Sequence, residues 1–300
     1  MNPQDLRPGA VVIGLLSEPV KVTSVIVRPD GSIFIVCHDA TGLTRTAALS
    51  EADIISLVLS EAAPERPRGR IVADGRLIIP LYHGTSSLFL SSILEHGLGG
   101  RNVIRELGVI ELLGDVVRLC DDGLPPEPQW LLRMDAARRM ASQQVTAAGF
   151  NFRHGGTYVS PSPVTAARYA MKESGSEIVC RFLMLYRRIE QQRPDLLRAL
   201  QRDPSALMSF AAHDHVPLLI ELSDVPIQSL RTEQGGPVEQ ILEEIEGFLN
   251  DMPDNFPGIV QQHNFELVRA VSRSQFHVHR IMDSWEYGSE RLPLAPYDES

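Results

Sequence analysis

The stretch that decides the fold reads Leu81-Tyr-His-Gly-Thr-Ser-Ser-Leu-Phe-Leu-Ser-Ser-Ile-Leu-Glu-His-Gly-Leu98. The residues at 76–82 are mostly apolar and β-branched, which predicts a buried strand that ends on His83-Gly84-Thr85. One of the serines at 86–87 can cap a short helix, and Gly97 is placed to end that helix. Because a glycine lets a ligand approach the main chain, this stretch is a candidate site for binding a small molecule.

A second informative stretch runs from Asn151 to Ala170. Glycines lead into a short predicted strand, after which Ser162 can cap a helix that has Pro163 in its first turn. Tyr158 and Tyr169 are eleven residues apart, one on the strand and one on the helix. Two aromatic faces can enclose a flat ring and exclude water from it.

Together the two stretches resemble the His-Tyr-Glu branch of the ADP-ribosyltransferase superfamily, which includes the poly(ADP-ribose) polymerases. In that branch a strand ends in His-Gly-Ser/Thr, and an Ile-Leu-x-x-Gly-Leu helix end begins ten residues after the His. Here Ile93-Leu-Glu-His-Gly-Leu98 begins ten residues after His83. The family's Gly-x-Tyr is followed by Ala and Tyr at nine and eleven residues, and Ala167 and Tyr169 stand at those offsets from Tyr158.

The third motif of the family is a Glu that begins a late strand. Glu266, within Phe265–Ile281, fits best, because a loop and a run beginning near Gln275 follow it as the family's plan requires. Glu221 and Glu233 are alternatives for the same role.

The resemblance covers residues 75 to about 285 and implies an α+β domain with a split mixed β-sheet that holds NAD, as co-substrate, in an extended form. The residues that it implies for binding NAD are His83, Gly84, Thr85, Tyr158 and Tyr169, and the catalytic residues that it implies are His83, Tyr158 and Glu266. His83 would bond the adenosine-side ribose, and the backbone of Gly84 would bond the nicotinamide amide. The family commonly has Ser where this chain has Ala166, so a hydroxyl that bonds the amide is missing or comes from a neighbour such as Thr165.

The implied reaction is mono-ADP-ribosyl transfer to a macromolecular acceptor, protein or nucleic acid, with release of nicotinamide and no metal. Three alternatives stay open: an NAD-dependent RNA 2′-phosphotransferase, an NAD glycohydrolase, and a non-catalytic NAD or ADP-ribose binding module. A transferase joined to a small β module is typical of a bacterial toxin or anti-phage effector, which would need a neutralising antitoxin as partner.

Composition and charge indicate which partners and which cellular compartment the sequence favours. The 300 residues carry a net charge of −10, which disfavours broad binding to nucleic acid. No apolar run reaches the roughly 18 residues of a membrane span, and the N-terminus lacks a signal-peptide core. The cysteines 37, 120 and 180 are few and far apart, which predicts reduced thiols in a cytoplasmic protein rather than disulfides. His213-x-His215 and His277-x-His279 lack the further ligands of a metal site.

The order of the chain predicts a small β-rich, barrel-like domain at residues 1–62, a linker at 63–74 and the catalytic domain at 75–300. In the first domain the turn Pro29-Asp30-Gly31 predicts a hairpin, and Ser50 begins a predicted helix that reaches Leu59. Further along, apolar spacing predicts helices at 103–119, 130–147 and 238–250 and strands at 177–185 and 216–222.

Overall fold

The chain forms two compact units in the computed structural model. The first consists of Met1–Gly69 with Leu249–Asn255, and the second of Arg70–Phe248 with Phe256–Ser300. The structure describes residues 69–145, 151–252, 256–285, 289 and 292–297, together with the strand segments 11–13, 20–27, 33–38, 44–49 and 58–59. Residues 63–68 of the predicted linker therefore lie outside the described residues.

The first unit contains a five-stranded sheet in the order β4-β3-β2-β1-β5. Its strands are β1 (Val11–Ile13), β2 (Val20–Val27), β3 (Ile33–His38), β4 (Thr44–Leu49) and β5 (Val58–Leu59). β2 and β3 pair antiparallel, as the hairpin prediction requires, although the turn at 29–31 lies outside the described residues.

The end of the helix predicted from Ser50 is wrong. Val58 and Leu59 form β5 and pair antiparallel with Ile13 and Val12 of β1. Residues 50–57 of that prediction lie outside the described residues. Two adjacent apolar residues satisfy a helix and a strand equally well, and here pairing with β1 gives them a sheet partner.

The second unit opens on a tight hairpin, β6 (Val72–Ala73) and β7 (Arg76–Leu77). Its two-residue turn, Asp74-Gly75, has φ values of 50° and 71°, as a type I′ hairpin requires. The apolar run predicted as one strand at 76–82 is therefore interrupted between β7 and β8 (Leu81–Ser86), where Pro80 follows a bend.

The larger sheet of the second unit has the order β14-β13-β10-β8. β8 pairs along its whole length with β10 (Pro217–Leu222), which continues to β13 (Phe276–Ile281) and β14 (Leu294–Pro296). The strands predicted at 216–222 and after Gln275 are thereby confirmed.

A smaller sheet of the second unit has the order β11-β12-β9, formed by Leu230–Thr232, Phe265–Leu267 and Thr157–Val159. It meets the larger sheet where Tyr82 and Ser160 exchange backbone hydrogen bonds of 2.7 and 2.9 Å. We call this meeting line the seam. Every strand pair among the described residues is antiparallel, which corrects the expectation of a mixed sheet. Strand direction depends on which strands become neighbours, and the residue pattern of one strand does not encode that.

Helices connect most of these strands along the chain. Their bounds are α1 Ser87–His96, α2 Val103–Glu106, α3 Val109–Gly123, α4 Pro128–Ala141, α5 Pro163–Ala170, α6 Glu177–Gln192, α7 Ser205–Ala211, α8 Glu239–Asp251 and α9 Phe256–Ile259. The helix predicted at 238–250 is thus confirmed, whereas the one at 103–119 breaks at Gly108, whose φ is 61°. The helix predicted at 130–147 ends at Ala141. Among the described residues no helix is both long enough and apolar enough to cross a bilayer.

The strand predicted at 177–185 is wrong, because these residues begin α6. Ile178, Phe182 and Ile189 recur at helical spacing and are buried in a cluster shared with α3. The nine predicted residues contain a dense apolar run, and over so short a length such a run fits a buried strand as well as a helix. The helical spacing of apolar residues continues as far as Ile189, and a repeat of this length indicates a helix.

Gly84 is required where α5 crosses β8. A Cβ built on Gly84 would lie 1.7 Å from the backbone oxygen of Ala166, which belongs to a helix and cannot move aside as a flexible side chain could. We therefore expect Gly84→Ala to lower the free energy of unfolding by about 1–3 kcal/mol, the usual cost of overpacking. Urea unfolding measures this change; Gly114→Ala, where a Cβ would contact nothing, should not destabilise. Equal stability of the two variants would contradict the close packing of α5 on β8.

Candidate active site

His83 joins the two sheets at the seam. Its Nδ1 lies 2.8 Å from the backbone oxygen of Tyr158. A carbonyl oxygen only accepts, so Nδ1 carries the proton of this hydrogen bond. Burial lowers the pKa of His83, and the hydrogen bond to Tyr158 opposes that shift in part. A neutral ring protonated on Nδ1 leaves Nε2 as an acceptor, which suits a ligand hydroxyl.

Gly84 presents its backbone toward the gap between the sheets. Tyr82 directs both its N–H and its C=O at Ser160, and backbone groups two residues apart on a strand point to the same side. If the pairing continued, Gly84 would face Tyr158, but no such pair forms among the described residues. The donor and acceptor of Gly84 on this side are thus left for a ligand, and a carboxamide needs one of each.

Glu266 lies beside Tyr158. The two residues are direct partners across β12 and β9, so their side chains stand on the same face of the small sheet. One carboxylate oxygen of Glu266 lies 3.2 Å from Nη2 of Arg153, and the other would be 2.6 Å from a Cβ on Gly156. The carboxylate is therefore held between a guanidinium and the bare backbone of a glycine.

The Tyr158 phenol is part of the same charged neighbourhood. Burial raises the pKa of Tyr158, an interaction with the Asn151 side chain opposes the rise, and Glu266, Arg153 and Glu233 also act on it. The hydroxyl is shielded from solvent and has no hydrogen-bond partner of good geometry among the described residues. The ring thus remains neutral at physiological pH and offers an aromatic face to the gap.

Helix α5 carries Tyr169, which also lines the gap. The helix begins as predicted, with Ser162 accepting a 3.2 Å hydrogen bond from the N–H of Thr165 and with Pro163 in the first turn. Tyr169 is 41 % exposed, so its ring is accessible at the mouth of the site. Thr165 is buried and donates its hydroxyl to the Gln261 backbone oxygen at 3.1 Å. Thr165 is therefore a poor substitute for the hydroxyl that Ala166 lacks.

Most of these residues, but not Glu266 or Thr165, line one cleft, which encloses about 1170 Å³ including the open solvent at its mouth. The predicted residues that line it are His83, Gly84, Thr85, Tyr158 and Tyr169. Of the three acids considered, Glu233 lines the cleft, Glu266 lies behind Gly156, and Glu221 lies on β10 with its carboxylate 3.1 Å from Nε2 of His279.

Arg153 was not anticipated from the sequence. It lines the cleft, pairs with Glu266 and also donates to the Glu233 backbone oxygen. Its position two residues before the glycine pair 155–156 is the only sequence signal that could have indicated it. Such proximity identifies a basic residue near the site but not the carboxylate that it contacts.

The histidine pairs do not form a metal site. Among the residues that the structure describes, no group of three or more His, Cys, Asp or Glu side chains is placed to hold a metal ion. Cys120 is buried and Cys180 is half-buried, and neither forms a disulfide. Burial raises the pKa of the Cys120 thiol to about 11, so it is not a reactive nucleophile.

The two tyrosines should contribute separately to ligand affinity. If each ring stacks on one face of a flat ligand, Tyr158→Ala and Tyr169→Ala should each weaken NAD binding by about 1–2 kcal/mol. Tyr158→Phe and Tyr169→Phe keep the ring and serve as matched controls that should bind like the parent. Calorimetry with NAD measures the affinities; unchanged affinity in both alanine variants, with the fold intact, would show that the ring of the ligand binds elsewhere.

Comparison of the chain with protein-family models, with curated proteins and with solved structures found no match.

Proposed function

We propose that the second unit is an ADP-ribosyltransferase-like domain that transfers ADP-ribose from NAD to a macromolecular acceptor and releases nicotinamide. His83, Tyr158 and Glu266 are the proposed catalytic residues. The backbone of Gly84 binds the nicotinamide amide, and Tyr158 and Tyr169 stack on its ring. A neutralising partner and a role as a toxin or anti-phage effector belong to the same proposal.

The observation that carries this proposal is the convergence of three separate motifs at one seam. His83 and Tyr158 are 75 residues apart in sequence and share a hydrogen bond of 2.8 Å. Glu266 is the direct cross-strand partner of Tyr158 although it lies more than 100 residues further along. The three residues that the resemblance assigns to one site are distant in sequence but lie together in the fold.

The chemistry follows from the charge near the seam. Breaking the bond between ribose and nicotinamide develops positive charge on the ribose, as in glycoside hydrolysis. The carboxylate of Glu266 stabilises that charge more in the transition state than in bound NAD, and this difference accelerates the reaction. The neutral Nε2 of His83 accepts a hydrogen bond from the adenosine-side ribose. This contact fixes the geometry of the bond that breaks.

A second candidate is NAD-dependent RNA 2′-phosphotransfer. One observation favours it: Arg101 and Arg153 both line the cleft, and that reaction relies on arginines near the same His-Gly-Thr motif. Arg101 is also paired with Glu106 at 2.6 Å, and Arg153 with Glu266, so both guanidinium groups already have carboxylate partners.

Incubation with NAD labelled in the adenylate half tests the proposal. Protein, RNA and DNA are offered in separate reactions, and one more contains RNA with a 2′-phosphate. Label on a macromolecule with release of nicotinamide supports transfer, whereas loss of the 2′-phosphate supports the second candidate. Free ADP-ribose alone would indicate a glycohydrolase, and binding without turnover would indicate a binding module. Either of these two results would overturn the proposed transfer.

A further inference from the structure

Beside Glu266 there is a second acid, Glu233, which lines the cleft directly. Glu233 directly follows β11, is half-buried and lines the cavity together with Asn264. Its carboxylate is hydrogen-bonded to the Asn264 side chain. The guanidinium of Arg153 donates to its backbone oxygen, so Glu233 is fixed close to the carboxylate of Glu266 that the same guanidinium contacts.

The two carboxylates differ in their surroundings. Glu266 has a guanidinium nitrogen of Arg153 at 3.2 Å and remains paired with it. The side chain of Glu233 has an amide, that of Asn264, as its hydrogen-bond partner. Burial raises the pKa of Glu233, while the Asn264 bond and the charge of Arg153 oppose the rise. Two carboxyl groups held in unlike environments commonly divide the roles of charge stabiliser and proton carrier.

We propose that Glu233 is the general base of the transfer step and that the acceptor is a neutral O–H group rather than a carboxylate. This inference rests on the proposed function, because it assigns a role within that reaction. A hydroxyl must lose its proton as its oxygen bonds to the ribose, whereas a carboxylate acceptor has no proton to lose. A base in the cleft therefore has a use only if the acceptor is protic.

In the proposed transfer step one bond breaks, one bond forms and one proton moves. The bond from the ribose carbon to nicotinamide breaks, and its electron pair returns to the pyridinium nitrogen, so nicotinamide leaves as a neutral molecule. The acceptor oxygen bonds to the same carbon, and its proton moves to the carboxylate of Glu233. That proton is then lost to solvent. Glu266 exchanges no proton in this step and stabilises the positive charge.

The proposed base gives the transfer rate a pH dependence. Among the described residues, Arg153 in the loop before β9 and Tyr158 on β9 interact electrostatically with Glu233. Glu266 on β12 shares the Arg153 guanidinium with the backbone oxygen of Glu233. A base acts only when deprotonated, so the rate should fall as pH drops through the raised pKa of Glu233. The residual transfer rate of Glu233→Gln should not show this decline at low pH.

The test compares Glu233→Gln with Glu221→Gln, which changes a Glu outside the cleft. Nicotinamide release is measured with whichever acceptor, protein, RNA or DNA, takes up the label. We expect Glu233→Gln to be slower by roughly 10²-fold, the lower end for a lost general base, and Glu221→Gln to match the parent. Sodium azide is an anionic nucleophile that has no proton to lose. It should therefore restore the rate of nicotinamide release by Glu233→Gln and yield ADP-ribosyl azide. Azide should not restore Glu266→Gln.

The bond to the acceptor supplies a second readout. A product on a hydroxyl is an acetal and resists neutral hydroxylamine, whereas a product on a carboxylate is an ester and is cleaved. Release by hydroxylamine, a parent-like rate of Glu233→Gln, or failure of azide to restore it would each overturn the inference. Absence of nicotinamide release from the parent protein would instead overturn the proposed function. If Glu233→Gln does not fold, Glu233→Ala is used with the same azide test.

Discussion

Glu266→Gln is expected to reduce nicotinamide release from NAD by roughly 10²–10⁴-fold while NAD affinity stays nearly unchanged. The substitution keeps the size of the side chain and its ability to accept a hydrogen bond, but it removes the negative charge. Bound NAD gains little from that charge, whereas the cationic transition state depends on it. The effect should therefore fall on the rate of the bound complex and not on binding.

Single-turnover measurements and calorimetry with NAD separate the two quantities. Glu221→Gln is the matched control, because Glu221 lies on β10 and contacts His279 instead of the cleft. The control should remain within a few-fold of the parent in both measurements. A fully active Glu266→Gln, or an inactive Glu221→Gln, would show that a different late strand carries the catalytic acid.

Gly156→Ala is expected to lower the same rate by about 100-fold without a comparable loss of stability. A new Cβ would lie 2.6 Å from Oε1 of Glu266, so the carboxylate must move. The carboxylate is the flexible end of a side chain, and its displacement costs the fold little. A shift of about 1 Å in a reacting group can cost 10²-fold in rate.

Gly155→Ala is the paired control. A Cβ there would lie 2.9 Å from the guanidinium end of Arg105, which can also move but does not contact Glu266. Nicotinamide release by Gly155→Ala should stay near that of the parent, and urea unfolding of both variants should be similar. If both alanine variants lost activity equally, the effect would come from the glycine loop itself and not from the position of Glu266.

The local features of the site could be predicted from the sequence. Ser162 and Pro163 begin a helix because their side chains suit its first turn, and Gly97, with φ of 79°, ends another. The short strand at Tyr158 follows from the residues next to it. These features depend on interactions within a few residues, which is the range over which sequence patterns are informative.

The features that could not be predicted depend on neighbours distant in sequence. The pairing of Arg153 with Glu266 joins residues 113 positions apart, and no local pattern specifies it. The Thr165 hydroxyl, one possible replacement for the hydroxyl that Ala166 lacks, donates to Gln261, 96 residues away. The helix at 177–185 differs from these two features, because the repeat that identifies it is local but extends to Ile189, beyond the predicted strand.

The narrowness of the seam has a consequence for detecting ligands. A reciprocal pair of backbone hydrogen bonds between Tyr82 and Ser160, with the His83 bond beside it, connects two sheets that both line the cleft. A molecule that contacts both sheets binds the folded protein and not the unfolded chain. By mass action, a ligand at a hundred times its dissociation constant adds about 2.7 kcal/mol to stability. A rise in melting temperature can therefore report NAD, its fragments and acceptor mimics before any turnover is measured.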